Sequence, residues 1–148
     1  GKVFDNFIKS FYMKQAVFFF LIGFLSWSAV QGQVMSKKAE WLTIKSANLK
    51  CWECKERLEK YLLMASKTEM EGGITQMKFN LLQGELRVLY FPDRATPDMI
   101  RTAINNAGFD ADEEKAEESA YKKLPPICKR AEDGGGPQPR KPCHLPPM

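Results

Sequence analysis

Two cysteines three residues apart, Cys51 and Cys54 in "NLKCWECKERLEKYLL", are the side chains of this sequence best suited to chemistry. A Cys-x-x-Cys pair can hold a soft metal ion, cycle through a disulfide, or fill space as inert core. Both reactive cases work through thiolate rather than thiol. Lys50 and Lys55 flank the pair and favour the charged form. Further soft donors follow at Cys128 and, in a Gly/Pro-rich tail, at Cys143-His144 and Met148. Local spacing does not choose among these chemistries. The elements that carry the cysteines have to be found first.

Leu42 and Ile44 alternate with Trp41, Thr43 and Lys45, the pattern of a half-buried strand. A loop over 46–50 leads to the first cysteine. From Cys54, the apolar residues Leu58, Tyr61, Leu62 and Ala65 recur at helical spacing on one face, and Gly72-Gly73 ends that segment. Met77, Phe79 and Leu81 alternate on a second strand and Leu86, Val88 and Tyr90 on a third, with Gln83-Gly84 as the turn between them. Thr96-Pro97-Asp98 opens a second helix, with a hydroxyl N-cap and proline at the first helical position. Ile100, Ala103, Ile104 and Ala107 form its buried stripe, Gly108 stops it, and "FDA" supplies a short last strand. The order predicts an α+β, ferredoxin-like βαββαβ sandwich, an antiparallel sheet with two helices on one face. Cys51 then lies in a loop and Cys54 in the first helical turn. Unpaired N–H groups and the positive helix end should acidify both thiols there.

The flanks read differently. "MKQAVFFFLIGFLSWSAVQGQ" has a basic start at Lys14, an apolar stretch and small residues before a cut after Gly32, the layout of a secretory signal over 13–32. Its apolar run, 16–30, spans 15 residues, short of the ~20 that a spanning helix needs. No stable membrane anchor is expected after cleavage, and an exported, periplasmic location follows. Residues 1–12 precede the initiator-like Met13 and read as an upstream extension. At the other end, "DEEKAEESAYKKL" predicts an extra helix, acids early and lysines late, that stops at Pro125-Pro126 beside Cys128. The division is therefore 1–32 as extension and signal, 39–112 as the main domain, 113–130 as a helical extension and 131–148 as a tail. The tail has too little apolar surface to offset its ordering entropy and is expected to be disordered.

The 148 residues allow one small domain with such additions. Four cysteines and one histidine are too few for a disulfide-dense scaffold. The formal charge of +4 is not gathered into a stripe, which argues against nucleic acid as a partner. Removing 1–32 takes away three lysines and one aspartate, leaving 19 basic against 17 acidic residues.

Over residues 41–109 the chain resembles the heavy-metal-associated domain of copper chaperones, copper-pumping ATPases and the periplasmic mercury-binding protein. That family opens its metal loop with Gly-Met-x-Cys-x-x-Cys, and here the loop is Asn48-Leu49-Lys50-Cys51-Trp52-Glu53-Cys54. The pattern continues through Gly73, Ile74, Met77, Phe79, Asn80 and Leu81, then Gly84, Leu86, Val88, Tyr90 and Pro92. It closes on Thr96, Ile100, Ala103, Ile104, Ala107, Gly108 and Phe109. Two departures stand out: Asn48 for glycine, tolerable in a left-handed conformation, and a first helix and exit longer than usual. The resemblance implies that Leu49 packs inward in place of the family's methionine and does not bind metal. It puts Phe109 near the metal loop, where it excludes water. Trp52, between the ligands, packs on its own loop.

The expected function is non-enzymatic: a soft-metal carrier holding one ion between Cys51 and Cys54 and passing it on by ligand exchange. Its partner would be a metal-transporting or metal-accepting protein. Cu(I) is the best fit to two thiolates; Zn(II) and Hg(II) are the other metals considered, and Zn(II) would want four ligands. Cys128 could fold back as a third thiolate or stand alone and exposed. Cys143 and His144 form an accessory candidate pair in the tail. The alternative is a thiol–disulfide oxidoreductase using the same Cys-x-x-Cys. Its fold needs Thr96-Pro97 before a strand, whereas here the dipeptide opens a helix.

Overall fold

The computed structural model describes residues 2–6, 9, 38–140, 142 and 143. It divides into two units, Gly1–Ser36 and Lys37–Met148. In the first unit, residues 2–6 are helical; the expected signal segment, 13–32, lies outside the described residues. Among the described residues no helix is long and apolar enough to cross a membrane.

The second unit begins with β1 (Glu40–Lys45), followed by α1 (Trp52–Glu69), β2 (Ile74–Asn80), β3 (Glu85–Tyr90) and α2 (Pro97–Asn106). The strands form an antiparallel sheet in the order β1-β3-β2. Leu42 pairs with Val88 and Ile44 with Leu86, while Met77 faces Val88 and Phe79 faces Leu86. The alternating apolar residues thus share one face, as the period of two requires. Against that face pack Cys54, Leu58, Leu62 and Ala65 of α1, and Ile100, Ala103 and Ile104 of α2. The Thr96 hydroxyl accepts the Met99 N–H at 3.2 Å, with Pro97 opening the helix. The longer first helix is explained by "SKTE", which adds a further turn to α1. Its exit is closed by Ser66: the carbonyl accepts Gly72 N–H at 2.7 Å and the hydroxyl accepts Ile74 N–H at 3.0 Å.

Gly84 closes the β2–β3 turn at φ +63°, and a Cβ there would come within 2.7 Å of the Ser46 carbonyl oxygen. The Ser46 N–H donates to the Gly84 carbonyl at 2.8 Å, so this turn is pressed against the loop that leads to the cysteines.

Three expectations need correction. Among the described residues the sheet has three strands, since "FDA" forms no ladder. Phe109, Asp110 and Ala111 are buried beside β1, but the backbone link to that strand is Asp112 N–H to Lys45 carbonyl, 2.7 Å. A side chain replaces the missing ladder: Asn48 Oδ1 accepts the Asp110 N–H at 3.0 Å. The C-terminal helix is also shorter than its pattern, α3 (Glu118–Lys122), capped by the Glu117 carboxylate and followed by a 3-10 turn at Pro126–Cys128. Of the acids at 112–114, Asp112 pairs with Arg101 and Glu114 accepts from the Asn105 amide, in a turn instead of a first helical turn. Lastly, 131–140 of the tail is not an unplaced chain. It forms a 3-10 turn at Ala131–Asp133, and Gly135 and Gly136 donate back to Arg130 and Pro126, both at 3.0 Å. Composition undervalued two cross-links that draw this segment in.

Candidate functional site: a four-cysteine junction

The loop before α1 is built from Ser46, Asn48 and Leu49, all buried. Asn48 is its hub. Its amide donates to the Gly108 carbonyl at 3.1 Å and to the Cys128 carbonyl at 2.9 Å. Its oxygen accepts from Asp110 N–H and from the Ser46 hydroxyl, at 3.3 Å. One side chain thereby joins the cysteine loop, the end of α2 and the C-terminal extension. Asn48 is not among the residues at positive φ, so its advantage over glycine here is hydrogen bonding.

Cys51 is the N-cap of α1 in extended conformation (φ −120°, ψ 154°), and its side chain makes no capping hydrogen bond. Cys54 sits in the first turn, on the buried face. Neither is bonded to the other. Cys51 is joined to Cys143 and Cys54 to Cys128, with Cα separations of 5.2 and 5.5 Å. Four sulfurs, two from the Cys-x-x-Cys loop and two from the C-terminal third of the chain, therefore meet at the head of one helix.

Of the two alternatives for Cys128, the exposed lone cysteine is excluded: the residue is fully buried and bonded. Cys143 is half-buried, its sulfur 3.7 Å from the Lys50 carbonyl oxygen. His144 and Met148 lie outside the described residues. Leu49 and Phe109 are both wholly buried in the cluster that contains the cysteines. Trp52 is half-buried with Lys55 Nζ 4.4 Å from its ring centroid, a contact within its own helical turn. Its indole N–H is buried without a partner. In this oxidised form no group of three or more His, Cys, Asp or Glu side chains among the described residues is arranged to hold a metal ion.

Sequence reasoning missed what seats the extension. Arg130 grips Asp110 through two hydrogen bonds, Nε to Oδ2 at 2.7 Å and Nη2 to Oδ1 at 2.6 Å, with both side chains nearly buried. Burial opposes ionisation of Asp110, but the bonds from Arg130 and from Ala116 N–H outweigh it and hold its pKa below the ordinary value. The Arg130 guanidinium also stacks on Tyr121, 4.2 Å from the ring centroid. The Tyr121 hydroxyl accepts the Arg130 N–H at 2.8 Å and donates to Asp133 at 2.5 Å. Asp110 and Arg130 are twenty positions apart with no shared period, so nothing in the local pattern announced the pair.

No protein-family model matches the sequence, and no curated protein matches it. Solved structures similar to it include a "CopZ metallochaperone", 22% identical over 49% of this chain and 98% of that one, at a TM-score of 0.41. A copper-binding domain from HMA7, a P-type ATPase, is 22% identical over 49% of this chain and 89% of its own, at 0.42. A copper form of CopA from Bacillus subtilis is 20% identical over 53% and 95%, at 0.41.

Proposed function

We propose that this chain is an exported, non-enzymatic carrier of a soft metal ion, most suitably Cu(I), that binds in its dithiol state and is closed in its disulfide state. The observation that carries the reading is the convergence of four cysteines at the start of α1. Reduced, they would offer soft thiolate donors at the start of one helix, the ligand type that selects Cu(I). Cys51 has the best-placed sulfur, because the N-terminal N–H groups of α1 favour its thiolate. Cys51 and Cys54 would hold the ion in two-coordination. A thiolate of the accepting protein would enter as third ligand and one of these two sulfurs would then leave, with Cys128 and Cys143 as further donors beside the ion. All four together would instead suit Zn(II), which takes four ligands.

The two disulfides support folding in an oxidising compartment. The signal-like segment at 13–32 supports the same location. The oxidoreductase alternative is disfavoured by connectivity, since such an enzyme cycles a disulfide within its Cys-x-x-Cys and here each cysteine is bonded outside the motif.

The test is Cu(I) affinity of the reduced chain against a chelator. Cys51→Ser and Cys54→Ser should each weaken binding by more than the roughly 10–100-fold that supporting residues contribute at metal sites. Unchanged affinity in both variants would sink the carrier reading.

A further inference from the structure

The two disulfides are not equally open. Cys51, Cys54 and Cys128 are wholly buried, whereas Cys143 is half-buried. Cys143 also forms part of the wall of a cleft of about 930 Å³, bounded by Pro125, Pro126 and Ile127 of the extension, Pro142 of the tail and Glu53 of α1. Cys143 is therefore the one of the four cysteines that solvent reaches. The rate of thiol–disulfide exchange depends on which sulfur is accessible and on how acidic the departing thiol is. Attack at Cys143 expels Cys51, the N-cap of an 18-residue helix. The positive end of that helix stabilises the departing thiolate. Access and leaving-group acidity point to the same bond.

We propose that the Cys51–Cys143 disulfide is the docking and reaction site for an external dithiol protein of the thioredoxin class. The reactive loop of that protein sits in the cleft and its thiolate attacks Cys143 Sγ. A mixed disulfide forms with Cys143, the Cys51–Cys143 bond breaks, and the electron pair leaves on Cys51 as thiolate. The second thiol of the partner, once deprotonated, then attacks its own first sulfur and releases Cys143, which takes up a proton. Two electrons pass to Cys51 and Cys143, and the partner leaves oxidised. The Cys54–Cys128 bond, buried at both ends, survives this step. The extension stays seated through Arg130 and Asn48 while the tail is freed from the loop. This ordered opening goes beyond the carrier reading: it frees Cys51 first, and Cys54 becomes available only after the second bond is reduced.

The experiment mixes the oxidised full chain with a thioredoxin whose resolving cysteine is replaced by serine, then maps the adduct by non-reducing digestion and mass spectrometry. The expected adduct joins the probe to Cys143 and leaves Cys51 open to N-ethylmaleimide. An adduct on Cys51, Cys54 or Cys128, or no adduct, overturns the proposal. With one equivalent of intact dithiol thioredoxin, labelling of Cys51 and Cys143 should exceed that of Cys54 and Cys128 by about ten-fold or more, as burial of both sulfurs demands. Equal labelling overturns it too. Cu(I) added to the fully reduced chain, in which Cys54 as well as Cys51 is free, separates the two claims. A Cys143 adduct without copper binding defeats the carrier reading alone, and copper binding with the adduct elsewhere defeats this one alone.

Discussion

At the scale of single residues, the cysteines were visible from spacing and their partners were not. A Cys-x-x-Cys declares itself within four positions, but the bonds run to residues 74 and 92 positions away. No local pattern encodes such a distance. Asn48 is the sharper case. Sequence comparison casts it as a tolerated replacement for glycine, whereas the structure makes it a four-bond hub. Replacing it by alanine strands two buried carbonyls and one buried N–H, each costly to leave unpaired. Asn48→Ala should lower stability by about 3 kcal/mol in urea unfolding. A loss below about 1 kcal/mol would mean that water satisfies those groups as well as Asn48 does.

At the scale of elements, periodicity was a good guide wherever a segment buries one face. β1 to β3, α1 and α2 appear where their apolar spacing puts them. The final strand and the C-terminal helix were misread for one reason. Residues 109–128 are held by side-chain contacts and a cross-link, which leave no period. Two predictions belong here. Gly84→Ala combines a left-handed φ with a 2.7 Å clash against Ser46 O, so it should cost more than the roughly 1 kcal/mol of an ordinary glycine site. Thermal unfolding measures it, and the loop before Cys51 should loosen with it. The Asp110–Arg130 clamp gives a pH signature. Because the folded pKa of Asp110 is lowered, its stabilisation is present above the ordinary carboxylate value of 3.8 and is lost as pH falls through the lower folded value. Asp110→Asn should flatten this acid limb. At neutral pH it should cost about 3 kcal/mol, as breaking a nearly buried pair does.

At the scale of the whole molecule, the C-terminal third of the chain and the cysteine loop are joined by two disulfides. Cys128→Ser removes a cross-link that closes 74 positions of chain and should lower stability by about 2–5 kcal/mol. The loss should vanish when wild type and variant are compared fully reduced. The central claim is that the same four sulfurs that lock the oxidised chain bind a soft metal when reduced. Its most direct test is an anaerobic Cu(I) titration of the full chain, fully oxidised and fully reduced, against a strong copper chelator. The account predicts one tightly held ion in the reduced chain and none in the oxidised chain. Equal binding in the two states, or none in either, would contradict it.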